Sequence, residues 1–129
     1  MTIAQWDIEE AVKARYRADV EVLQRYYSDG DGNARDVVQK IRPVLEGYCR
    51  NLYPSQFTDG DMLGAMIGKI RDVGNAHPLS PIADDLEDLN VYTRRCHHAE
   101  NPGAAIEVID DAELAGSVRR TLTLAGNLI

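Results

Sequence analysis

A chain of 129 residues, 44% hydrophobic and 27% charged, has the size and balance of one globular domain, 1–129, with a core of its own. Its apolar runs are far shorter than a bilayer requires, and the opening MTIAQWDIEEAVKARY carries acidic residues where a secretory signal needs an apolar centre. No membrane span and a cytoplasmic address are therefore expected. Acidic residues number 21 against 14 basic ones, and the net charge of −7 disfavours broad, nonspecific binding of nucleic acid, leaving only a local anion site open.

From Ile3 to Tyr27 the residues Ile8, Val12, Tyr16, Val20, Leu23 and Tyr27 recur at steps of three and four, which predicts a long helix with one apolar stripe. Ser28-Asp29-Gly30-Asp31-Gly32 ends it, and Asn33 is placed to cap the next. That second helix carries Val37, Val38, Ile41, Leu45, Tyr48 and Leu52 on its broad apolar face and stops before Pro54. Pro43 lies inside it, so a kink or a restart near Arg42 is expected. A third helix is predicted to open at Thr58 and to bury Met62, Leu63, Met66, Ile67 and Ile70. Gly64 and Gly68, one turn apart on it, either admit a close backbone neighbour or lie on open surface.

Ser80 as cap and Pro81 at the first helical position introduce a fourth helix through Leu86, Leu89 and Tyr92 toward Cys96. Breakers return at Asn101-Pro102-Gly103, and the β-branched AAIEVI that follows favours an extended segment too isolated to form a sheet. Asp110 with Glu113 reads as a capping box for a last helix through Leu114, Val118, Leu122 and Ala125. The sum is an all-α fold, a single compact bundle of about five helices with the second near its centre.

Several chemistries find no residues here. GxxxxGK[ST], HExxH and CxxC are all absent, which removes P-loop hydrolysis, a zinc helix and a zinc ribbon. Cys49 and Cys96 are expected as reduced thiols. Cys96, His97 and His98 are adjacent, but neighbouring helical positions point about 100° apart and cannot share one ion. Neither a metal nor a cofactor is expected. Arg42, Glu46 and Arg50, each four residues apart, share a helix face, and by themselves such residues form a solvated salt-bridge ladder. His97 and His98, near a helix end, ordinarily meet terminal carbonyls or solvent.

The runs KIRPVLEGYCRNLYP, LGAMIGKIRD, LEDLNVYTRRCHHAENP and DDAELAGSVRRTL, spread from Val37 to Leu124, resemble the C-terminal helical segment of AAA-type ATPases related to the anticodon nucleases PrrC and RloC. That segment belongs to the HEPN superfamily of metal-independent ribonucleases, whose site combines an Arg-x-x-x-Glu helix with a downstream His. The resemblance implies a HEPN-like fold, with Arg42, Glu46 and His98 as catalytic residues and His97 assisting. Asn90, Arg94, Arg95 and Arg50 would position substrate. The family's second signature, Arg and His separated by four to six residues, is approached by Arg94 and His98, which have three between them. On this reading the substrate is RNA, such as tRNA, in a phage-defence setting with an ATPase partner or fused ATPase domain.

The chemistry implied is transfer of the 2′-OH proton to a base, protonation of the leaving 5′-oxygen, and a cation on the phosphate between them. An imidazole suits the proton transfers and the planar fork of Arg42 suits the phosphate, with Glu46 orienting Arg42 or carrying the second proton. The reading from another class is a non-catalytic interaction or sensor module. In either case the apolar stripes of helices one and five offer a face for a homodimer.

Overall fold

The computed structural model describes residues 3–58, 60–98 and 109–126, with backbone alone for 3–9, 97 and 98. Five helices follow in chain order: α1 (Ile3–Asp29), α2 (Ala34–Leu52), α3 (Leu63–Val73), α4 (Ala83–His98) and α5 (Asp111–Leu124). Among the described residues there is no strand, and no helix is long and apolar enough to cross a membrane. The expected extended stretch AAIEVI lies, apart from Ile109, outside the described residues.

Gly30 and Gly32, both at positive φ, reverse the chain between α1 and α2, and the Asn33 side chain caps α2 by accepting from the Arg35 amide. The two helices run antiparallel, with Tyr16 over Gly47 and Lys40 3.5 Å from Asp19. A Cβ at Gly47 would lie 2.7 Å from the Tyr16 ring, so the close approach depends on glycine there. α2 packs against all four other helices, the central place its broad apolar face predicts. Val37, Val38, Ile41, Val44, Leu45 and Cys49 are buried, while Tyr48 is half-buried and Leu52 is exposed. α2 is continuous through Pro43 instead of restarting at Arg42. The proline sits on its exposed side, as does Gln39 one turn earlier, so the missing amide donor leaves its gap toward solvent and not in the core.

Three other boundaries differ from expectation. α3 begins at Leu63, not Thr58, and Met62 is exposed as its capping residue. Thr58 belongs instead to a turn closed by Asp61, whose carboxylate accepts from the Thr58 amide at 3.0 Å. Ser80 and Pro81 form a 3-10 turn, Ser80–Ile82, that leads into α4 at Ala83. In α1 the buried tyrosine is Tyr26 and not Tyr27, and the stripe meets the core only from Tyr16 onward, through Val20 and Leu23. Val12 is 58% exposed.

The last helix starts as predicted, with Asp110 accepting from the Glu113 amide at 3.0 Å. Its stripe of Leu114, Val118 and Leu122 is wholly buried, so α5 gives its apolar face to the core and not to a homodimer.

Candidate functional site

Arg42 and Glu46 share a face of α2 but do not pair with each other. Arg42 donates from Nη2 to the Asn90 Oδ1 of α4 at 3.0 Å, across 48 residues of sequence. Glu46 accepts from the backbone amide of Leu63 at 2.7 Å and so caps α3, whose own capping residue, Met62, supplies no side-chain oxygen. The two side chains thus tie α2 to two different helices. Helix spacing alone had them in a surface ladder; the central place of α2 redirects both.

The surroundings of Arg42 are unusual in an acidic protein. Asn90 is 2% exposed, and the first turn of α3 closes on it, a Cβ at Gly64 standing 3.7 Å from its Nδ2. Gly68, by contrast, faces open space. The Arg42 Nε is enclosed without a hydrogen-bond acceptor, and among the described residues its guanidinium has no carboxylate partner. An uncompensated positive charge is therefore held at the α2–α4 junction by a neutral amide. An anion is the ligand such a group can accept.

The remaining candidates separate into committed and uncommitted groups. Arg50 donates to the carbonyls of Thr58 at 3.1 Å and Asp61 at 2.7 Å, which binds it to the segment between α2 and α3. Arg95 is ion-paired with Glu113 of α5 and lies 5.4 Å over the Tyr92 ring. Arg94 is exposed, one turn beyond Asn90, with no ion pair among the described residues. His97 and His98 close α4, but their side chains lie outside the described residues. Position 97 is seven residues, two turns, after Asn90 and returns to its side of the helix, whereas position 98 is about 100° further round.

The sequence reading passed over His77, which is 3% exposed. Its Nδ1 accepts from the Leu79 amide at 3.0 Å, so the proton of the neutral ring is on Nε2, 2.8 Å from the Gln56 Oε1. With Tyr53 and Phe57 around it, its ring serves to pin the segment before α3. Only its neighbour Pro78 hinted at an ordered loop. A cleft of about 300 Å³ lies elsewhere, at the α3–α4 joint, between Ile70, Arg71, Gly74, Ser80 and Asp84. There Arg71 and Asp84 pair at 3.2 Å and offset one another.

Comparison with protein-family models, curated proteins and solved structures returns no match. Any functional reading therefore rests on the residues themselves and on the resemblance stated above.

Proposed function

We propose that the α2–α4 junction is the phosphate-holding part of a HEPN-like, metal-independent endoribonuclease site. The observation that carries this reading is Arg42, bound to Asn90 and, among the described residues, matched by no carboxylate. The cyclising cleavage of RNA passes through a phosphorane of increased negative charge, and a fixed guanidinium stabilises it without reorganising at the moment of reaction. His97 or His98 supplies the imidazole that moves the protons, and the register along α4 favours position 97 for the Asn90 side. Glu46, already accepting from Leu63, fits the positioning of α3 better than the orienting of Arg42. Exposed Arg94 is free to meet a neighbouring phosphate of an RNA such as tRNA. A strand cut in this way carries a 2′,3′-cyclic phosphate.

The test is cleavage of tRNA in the presence of a chelator, with product ends analysed by mass spectrometry. Arg42→Ala and the double change His97→Ala/His98→Ala are each expected to abolish a wild-type activity that leaves 2′,3′-cyclic phosphate. Absence of cleavage by the wild type, or cleavage indifferent to Arg42, overturns the proposal.

The interaction-module reading has its own support in the exposed front half of α1, where residues 10–15 lie off the core. A second copy or an ATPase partner would cover that half. Sedimentation equilibrium across a range of concentrations tests the homodimer, and a mass fixed at that of one chain removes it.

A further inference from the structure

A carboxylate is the usual partner for a guanidinium held between two helices, yet position 90 carries an amide. The difference is one of charge. An Asp side chain in the same place would accept the same hydrogen bond from the Arg42 Nη2 and would also neutralise the arginine. An amide oxygen fixes the guanidinium through its dipole and leaves the full positive charge for a ligand. We propose that Asn90 is a charge-neutral positioning residue, selected to orient Arg42 toward a phosphate group while keeping its charge uncompensated. The inference deepens the nuclease reading by giving the site's anion selectivity a physical origin.

Three features of the geometry support it. Asn90 is 2% exposed, so it cannot itself be a contact for a macromolecular substrate, and its effect must pass through Arg42. The Nε of Arg42 is enclosed and its Nη2 is engaged by Asn90, while the residue as a whole stays part-exposed, so an approaching oxygen meets the donors of the guanidinium that remain. Finally, the one carboxylate a turn away on the same helix face, Glu46, is turned to the Leu63 amide. Its negative charge is thereby spent on the amino end of α3 instead of on Arg42.

Affinity for inorganic phosphate, followed by titration calorimetry or by chemical-shift change of the Arg42 side chain, reads this role independently of cleavage. Asn90→Asp is expected to weaken phosphate binding at least about tenfold, as far as Arg42→Ala does, because the new carboxylate takes the charge. Asn90→Ser, which drops the tether but adds no charge, is expected to weaken it only a few-fold. In cleavage, Asn90→Asp should raise KM as well as lower kcat. Circular dichroism confirms that each variant folds, and the Ser variant keeps the comparison available if the Asp variant does not. Equal losses for Asp and Ser overturn the proposal, as does phosphate binding that is independent of Arg42. If phosphate binds through Arg42 in the expected order but no RNA is cut, the positioning role stands and the nuclease reading falls.

Discussion

Asp61 shows how much order a single half-buried carboxylate can impose on an irregular segment. The Lys69 ammonium at 2.6 Å, seconded by the Thr58 amide, holds its carboxyl below the usual carboxylate range. A group depressed on folding adds stability above its unfolded value, about 4, and loses it as pH falls through the lower folded value. Asp61→Asn should therefore lower the melting temperature at pH 7, and the gap to wild type should close in acid, at a pH below the ordinary carboxylate range. A gap of constant size down to that pH would mean the charge is not the cause. Cys49 presents the opposite case. Burial, with some help from the Glu46 charge and against that of Arg50, pushes its thiol up to about 11. Iodoacetamide at pH 8 should alkylate the half-buried Cys96 well before Cys49, and equal rates would show that α2 opens readily. Both behaviours escape sequence inspection, since Asp61 gains its partners only through the turn and Cys49 was not counted in the α2 stripe although it lies one turn after Leu45.

At the scale of elements, the helices were legible because breakers such as Gly30-Asp31-Gly32 and Pro54 separate stretches of 3.6-residue periodicity. The start of α3 was not. Thr58 looks like a cap in the sequence, yet the oxygen that satisfies the first amide of α3 comes from Glu46, 17 residues earlier on another helix. Glu46→Ala should accordingly destabilise the domain by about 1–2 kcal/mol, the ordinary range for loss of a helix cap, and Glu46→Gln by less. Urea unfolding checks this, and an Ala variant as stable as wild type would make the Leu63 contact incidental. Leu45 and Leu86, both fully buried, sit where the stripes of α2 and α4 meet the core. Truncating either to Ala should cost about 2–5 kcal/mol by the same measurement, and a value under about 1 kcal/mol would show a core able to collapse around the gap.

For the whole molecule, an all-α bundle centred on α2 followed from the breadth of that helix's apolar face, which only a central position can cover. The meeting of Arg42 with Asn90 did not follow, because nothing in either helix alone specifies a partner 48 residues away. The resemblance named both residues as candidates, and the packing of α2 on α4 supplies the contact. The α5 stripe misled for a related reason, since an amphipathic helix looks the same whether its apolar face meets its own chain or another. The remaining unevenness belongs to α1, which is joined to the core only from Tyr16 onward and leaves residues 10–15 exposed. Helix without tertiary support opens locally at little cost, and opened backbone is what a protease can grip. Trypsin under native conditions should cut first after Lys13, Arg15 or Arg17, and the large fragment should melt within a few degrees of the intact chain. First cleavage inside α2, or a large fall in melting temperature on trimming, would show that the front of α1 is integral to the core. A detachable forward section gives this protein two separate lives in an experiment: a durable body that records the fate of the Arg42 site, and a spur that can be shortened without disturbing it.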